Sequence, residues 1–133
     1  MKVKIRTPKE GVAHERPQWQ LSYFDVAEEE ARKILTDEQY AHVVECFRDL
    51  AHESDPTKSQ TQDVGKIQEF YELREKGGIL GKINIRVYFS LIESKKLILV
   101  LSVYKKEQEG PPPGYVVTRA RQRLRMAKSK LGS

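Results

Sequence analysis

Arginine, lysine and tyrosine residues in the second half of the chain occupy positions that a β-hairpin would bring together. Arg86 lies in one segment of alternating apolar and polar residues, and Tyr104 and Lys106 lie at the end of the next segment. Glu72 and Arg74 share one face of an earlier segment. Guanidinium and ammonium groups bind phosphate oxygens, and a tyrosine ring can stack on an unpaired base. These residue types therefore favour RNA as the partner.

The charges of the chain are strongly segregated. Residues 1–65 contain 9 Lys and Arg against 13 Asp and Glu, a net charge of −4, whereas residues 66–133 contain 15 against 6, a net charge of +9. A concentrated basic region is typical of proteins that bind polyanions, although a charged run is also common in a solvated tail. The apolar residues interleaved with the basic ones favour a folded cationic face.

Size and composition limit the other classes of protein. A chain of 133 residues, 38% of them hydrophobic, predicts a single domain over residues 1–133, with an irregular segment around residues 7–24. No apolar run approaches the roughly 20 residues of a membrane-spanning helix, and the single cysteine, Cys46, fits a reducing cytoplasm. His42 and His52 are interpreted as ordinary helix-surface histidines. No metal site and no cofactor are predicted.

Apolar periodicity predicts the elements of the first half. Residues 2–6 alternate and predict a short edge strand. Helical spacing predicts one helix over residues 25–35 and a second over 36–53, which begins with a capping box at Thr36. The polar residues 54–65 predict a loop.

The second half predicts strands followed by a helix. Residues 68–74, 83–91 and 97–104 alternate and predict three antiparallel strands. Three prolines then stop the sheet, and residues 115–131 predict a basic helix. The expected fold class is therefore α+β: a short N-terminal strand, two helices, an antiparallel sheet of three or four strands and a C-terminal basic helix.

The register of the last two strands follows from their alternation. If both bury their odd-numbered side chains, odd residues must pair with odd residues along the whole hairpin. A short turn between the strands then places Arg86 opposite Tyr104 and Asn84 opposite Lys106. The even face of the hairpin is the predicted cationic face.

Four segments of this half resemble a known family. They are Phe-Tyr-Glu-Leu-Arg at 70–74, Arg-Val-Tyr-Phe at 86–89, Ser-Val-Tyr-Lys-Lys-Glu-Gln at 102–108 and Arg-Gln-Arg-Leu at 121–124. In order and strand phase they resemble the RelE/HigB superfamily of bacterial toxins (RelE/ParE superfamily), and in particular its phage-related HigB-like branch. The resemblance covers about residues 66–124.

The resemblance implies a function and its partners. It implies a RelE-like fold and a toxin of a type II toxin–antitoxin system, a metal-independent endoribonuclease that cleaves mRNA on the ribosome. The expected partners are mRNA, ribosomal RNA and a cognate antitoxin that covers the cationic face, with no membrane involved. Two alternatives remain open: a non-catalytic nucleic-acid-binding or regulatory module of the same fold, and a ParE-like toxin that inhibits gyrase.

The resemblance also assigns roles to residues. Arg86 would bind the scissile phosphate, Lys106 would add positive charge, and Tyr115 would be a functional tyrosine. Glu72 stands where some members of the family have a lysine, and from the chemistry alone either Glu72 or a lysine with a lowered pKa is the candidate base. Metal-free RNA cleavage needs these roles, because the 2′-hydroxyl must lose a proton, the phosphorane charge must be neutralised and the leaving 5′-oxygen must gain a proton. The remaining predicted RNA-binding residues are Arg74, Lys76, Lys82, Tyr104, Lys105, Arg119, Arg121, Arg123 and Arg125.

Structural roles compete with these functional ones. Glu72 could instead form an ion pair with Arg74, and Arg86 could be a cation–π partner of Tyr104. Lys105 and Lys106 could serve solubility alone.

Overall fold

The computed structural model of the protein describes residues 3–6, 17–107 and 109–131. Most of the irregular segment predicted around residues 7–24 lies outside these ranges. The elements within them, in chain order, are β1 (Val3–Arg6), β2 (Gln20–Phe24), α1 (Asp25–Ile34), α2 (Asp37–His52), β3 (Asp63–Ile67), β4 (Phe70–Lys76), β5 (Asn84–Ile92), β6 (Leu97–Lys105) and α3 (Gly114–Leu131).

The six strands form one sheet in the order β1-β2-β6-β5-β4-β3. Only β2 and β6 run parallel, and the other neighbouring pairs are antiparallel. The fold is α+β as predicted, but the sheet is larger than the predicted three or four strands. β3 was missed because it is a short edge strand, held more by backbone pairing than by an alternating apolar pattern. β2 lies in the segment around residues 7–24, which was interpreted as irregular or as a second short strand packed on the core, and it is a strand between β1 and β6.

The boundaries of the other elements follow local signals. Thr36 and Gln39 form the predicted capping box, so α2 begins where its sequence predicts. The strand predicted over residues 68–74 instead spans Phe70–Lys76, because Gln68 lies in the tight turn that joins β3 to β4 and has a φ of 54°. No helix in the described part of the chain has the length and apolarity needed to cross a membrane.

The core lies between the sheet and the helices. α2 packs the ring of Phe47 edge-on against Phe89 of β5, with ring centroids 5.4 Å apart. β6 is buried on both faces from residue 97 to residue 103. This central strand therefore fixes the position of both its neighbours.

The β5–β6 hairpin follows the predicted register only in the half that carries the cationic face. Arg86 pairs with Tyr104 as predicted, but the register shifts by one residue between Tyr88 and Phe89, and Leu101 is left without a partner in β5. The prediction of one register along the whole hairpin is wrong, because a β-bulge interrupts it. In a strand buried on both faces, apolar alternation cannot reveal a bulge.

Beyond this bulge, a buried ion pair forms hydrogen bonds with the backbone of β6 along the edge that β2 no longer covers. β2 pairs with β6 only as far as Val100, so the next backbone groups on that edge need other partners. Arg123 of α3 donates from Nη1 to the Leu101 carbonyl at 2.8 Å, and Glu30 of α1 accepts from the Val103 N–H at 3.1 Å. The two side chains also form a bidentate pair with both distances 2.9 Å. α1, β6 and α3 are therefore joined at one point.

The Glu30 carboxyl is held in its charged form. Burial alone would raise its pKa, but the hydrogen bonds from Arg123 and the Val103 N–H, with the charges of Arg123 and Arg119, lower the pKa below 4.5 overall. A lowered folded-state pKa means that the pair contributes stability above the unfolded pKa. This contribution is lost as the pH falls through the folded-state pKa.

Replacing Glu30→Gln should lower the free energy of unfolding at neutral pH by about 2 kcal/mol, since the buried Arg123 keeps its charge and loses its counter-ion. Urea unfolding at pH 7 and at a series of pH values below 4.5 measures this. The difference from wild type should shrink over that acid range. The exposed neighbour Glu29→Gln is the matched control and should stay within about 0.5 kcal/mol of wild type. Equal stability of the two variants would contradict the role of the pair.

Candidate nucleic-acid interface

Three strands place the predicted cationic residues in rows across one face of the sheet. Arg74, Arg86 and Tyr104 occupy one row, through the pairs Arg74–Arg86 and Arg86–Tyr104. Glu72 and Tyr88 lie opposite each other in the next row. The Lys106 N–H donates to the Asn84 carbonyl at 2.8 Å, which confirms the second predicted pairing.

A buried carboxylate holds the two arginines. Glu72 is 4% exposed, and its Oε1 accepts a hydrogen bond from Arg74 Nε at 2.8 Å and lies 3.7 Å from Arg86 Nε. The ion pair with Arg74 that competed with a catalytic role is thus confirmed. A carboxylate this buried requires opposite charges beside it, so Glu72 and the two guanidinium groups form one unit.

Each arginine has a second fixed contact. Arg86 donates from Nη1 to Asn84 Oδ1 at 2.6 Å and to the Ile85 carbonyl at 3.2 Å, and its side chain is 12% exposed. Arg74 donates from Nη1 to Asp63 Oδ1 at 3.2 Å. Its guanidinium lies over Gly65 of β3, where a Cβ would collide with it. Glycine at this position therefore leaves the space in which Arg74 reaches Glu72.

The tyrosines beside the arginines are protonated and can donate hydrogen bonds. Burial, followed by the neighbouring Glu72 carboxylate, raises the pKa of Tyr88. Its buried hydroxyl lies near Glu72 but makes no hydrogen bond of good geometry within residues 17–107 and 109–131. Burial and the nearby Tyr115 raise the pKa of Tyr104. Tyr115 itself is 64% exposed.

These side chains line an open groove of about 440 Å³. One wall is the even face of the sheet, and the other is formed by the segment that carries the prolines before α3. The lining residues are Ile67, Glu72, Arg74, Arg86, Tyr88, Tyr104, Lys106, Gly110, Pro111 and Pro112. The groove therefore gathers two arginines, a lysine and two tyrosines around one space. We call it the cationic groove.

Apart from the four arginines of α3, four predicted residues lie outside the lining of the cationic groove. Tyr115 borders it through its contact with Tyr104. Lys76 and Lys82 are exposed on either side of the glycine turn at the end of β4. Lys105 is exposed on the edge of β6, with its Nζ 3.8 Å from a carboxylate oxygen of Glu107.

The arginines of α3 divide into structural and exposed groups. The prediction that Arg123 binds RNA is corrected, because its side chain is buried and its Nη1 and Nη2 are held by Glu30 and the Leu101 carbonyl. Arg119 lies 3.5 Å from Glu30, and Arg121 pairs with Glu69 at 3.1 Å. Arg125 is exposed. Because arginines recur at every second position of α3, the sequence pattern did not show which of them would be buried.

Two polar features of the structure were not predicted from the sequence: Tyr88, and a cluster of three residues on α2 and β4. Tyr88 was placed on the polar face of its strand but was not chosen as a site residue. His42 and Cys46 lie four residues apart on α2, and the structure brings Glu75 of β4 beside them, so that one ligand atom from each lies within 4.8 Å of the others. The i,i+4 spacing of His42 and Cys46 was the available signal, but His42 was interpreted as an ordinary helix-surface histidine. These three residues could hold a metal ion.

Comparison with known proteins identifies the fold. No protein-family profile matches the chain, and no curated protein matches its sequence. Seven chains of solved structures match it. One is the E. coli toxin RelE in the free state, as a mutant with two arginines replaced by alanine; it superposes with a TM-score of 0.57 at 18% identity and covers 81% of this chain and 98% of that chain. The protein therefore has the RelE-like fold that its sequence predicts.

Proposed function

We propose that the protein is the toxin of a type II toxin–antitoxin system, and that it cleaves mRNA on the ribosome as a metal-independent endoribonuclease. The observation that carries this proposal is the cationic groove, which Arg86, Lys106 and Tyr104 line together. The RelE-like fold supports it, since the matched E. coli protein is a toxin. We also propose that the protein belongs to the HigB-like branch of the superfamily.

The groove has the charge that phosphoryl chemistry needs. A phosphate in it would lie beside Arg86 and Lys106, which would neutralise the charge that develops on the phosphorane. Arg74, which also lines the groove, adds a second guanidinium. These cations are held by the sheet before substrate arrives, so little reorganisation accompanies the reaction.

The proton transfers are assigned to the remaining groove residues. Tyr104, whose phenol carries its proton at neutral pH, is the donor to the leaving 5′-oxygen. Glu72 uses Oε1 to hold the arginines, and we assign its Oε2 as acceptor of the 2′-hydroxyl proton. The exposed ring of Tyr115 would stack on a base next to the scissile bond.

The proposed partners follow from the same surface. The message and ribosomal RNA would meet the groove and the exposed cations Lys76, Lys82 and Arg125 around it. An antitoxin made in the same cytoplasm would neutralise the toxin by covering the groove, for which an acidic segment is the complementary chemistry.

A second candidate is a non-catalytic nucleic-acid-binding module. The engagement of Glu72 by Arg74 favours it, because the same contacts explain this carboxylate without any chemistry. Such a module would bind RNA in a salt-sensitive manner and leave it intact. A gyrase-directed toxin would instead inhibit the topoisomerase while messages stay whole.

Induced expression of the wild-type protein should arrest growth and cleave translated messages, and Lys106→Ala should slow cleavage by about 100-fold, because one cation at the phosphorane is lost. Primer extension on a translated message measures the cleavage. Lys33→Ala, which removes an exposed lysine of α1, is the matched control and should cleave at the wild-type rate. Arrest with whole messages, or equal loss in both variants, would contradict the proposal.

A second test moves a groove arginine without removing its charge. Gly65→Ala places a methyl group against the Arg74 guanidinium and should displace it from Glu72. We expect cleavage to fall about tenfold or more, with the salt dependence of RNA binding unchanged, because misplacement slows catalysis while the charge remains. Gly114→Ala is the control, since a Cβ there meets nothing within 4 Å. Equal cleavage by the two variants would show that the position of Arg74 is irrelevant.

A further inference from the structure

A second polar cluster lies on the opposite side of the sheet from the cationic groove. Along β4, Glu72 and Arg74 face the groove, so the intervening Leu73 and the following Glu75 face α2. Glu75 meets His42 and Cys46, which lie on one face of α2 because they are four residues apart. The proposed function uses none of these three residues.

The three ligand atoms already lie at spacings close to those of a metal site. His42 Nε2 is 3.7 Å from Cys46 Sγ and 3.7 Å from Glu75 Oε1. The Cys46 thiol donates to Glu75 Oε1, with a distance of 2.6 Å. Tetrahedral zinc, with bonds of about 2.0 to 2.3 Å, sets its ligand atoms about 3.3 to 3.7 Å apart. Only the contact between sulfur and oxygen must widen, by about 1 Å.

The burial of the cluster argues against a reactive thiol. Cys46 is 3% exposed, and burial, followed by the hydrogen bond to Glu75, raises the pKa of its thiol. A buried thiol that keeps its proton is a poor nucleophile and is oxidised slowly. The side chain of His42 is 40% exposed and that of Glu75 is 19% exposed, so an ion can reach the cluster from solvent on their side.

The donor types select the metal. One sulfur, one imidazole nitrogen and one carboxylate oxygen form a set that suits Zn²⁺, whereas Mg²⁺ and Ca²⁺ prefer oxygen ligands alone. A thiolate and a carboxylate together balance the two positive charges of the ion. The charge of Asp49 acts on Cys46 as well and adds negative potential at the cluster.

We propose that His42 Nε2, Cys46 Sγ and Glu75 bind one Zn²⁺ ion, with the fourth position open to water or to another donor. On binding, the Cys46 thiol gives its proton to solvent, the hydrogen bond to Glu75 breaks, and sulfur and carboxylate oxygen both coordinate the ion. The ion would join α2 to the end of β4, next to the glycine turn at residues 77–81. It would therefore stabilise the helix against the sheet independently of the groove.

Titration of the purified protein with Co²⁺ and Zn²⁺ tests this site. Co²⁺ should bind with one equivalent, give a thiolate-to-cobalt charge-transfer band and the intense visible bands of a tetrahedral ion, and be displaced by Zn²⁺. Zn²⁺ should raise the melting temperature of the wild-type protein. His42→Gln, a change of a half-exposed side chain, should weaken Zn²⁺ binding by about tenfold or more and abolish the thermal shift.

His52→Gln is the matched control, since His52 lies on the same helix and its Nδ1 contacts the Arg48 carbonyl instead. It should bind Zn²⁺ as the wild type does. Cys46→Ser should remove the charge-transfer band, and its circular dichroism shows whether it still folds. Absence of the band in wild type, or equal loss of binding in His42→Gln and His52→Gln, would overturn the proposal. None of these measurements depends on RNA cleavage, so failure here leaves the proposed function standing.

Discussion

The burial of β6 on both faces is the constraint on which the rest of the structure depends. This strand runs parallel to β2 and antiparallel to β5, and its bulge at Leu101 divides it into two registers. The first half pairs with β2 as far as Val100. The second half places Tyr104 opposite Arg86 and carries Lys106 to the mouth of the cationic groove. A change of one residue in this register would send these side chains to the opposite face.

Two clusters near this strand each pair a carboxylate with arginine, but their roles differ. Glu30 and Arg123 satisfy backbone groups that the end of β2 leaves unpaired, so their pairing is structural. Glu72 is also a buried carboxylate, but the arginines it holds line an open groove. Fixing Arg74 and Arg86 in advance would reduce the entropy lost in the phosphate binding that we propose. The proposed function depends on this second cluster, whereas the stability of the fold depends on the first.

Much of the fold could be predicted because its signals are local. The capping box at Thr36, the alternation of β5 and the proline stop before α3 each act within a few residues, and the structure follows them. The edge strand β3 and the bulge could not be predicted, because both are set by pairing with distant strands. In the site, too, features set by contacts between distant segments could not be predicted. The row of Arg86 and Tyr104 followed from strand phase, but the burial of Arg123 required knowledge of where α1 meets α3.

The central claim is a chemical one: that groove residues, without a metal, make the 2′-hydroxyl of the message attack the adjacent phosphate. The chemistry at the ends of the RNA products tests this most directly. Purified protein, ribosomes and one defined message would be combined, and the product ends would be identified by mass spectrometry. The account predicts a 5′-hydroxyl on one fragment and a 2′,3′-cyclic phosphate on the other. Products with a 5′-phosphate and a 3′-hydroxyl, or an intact message, would contradict it.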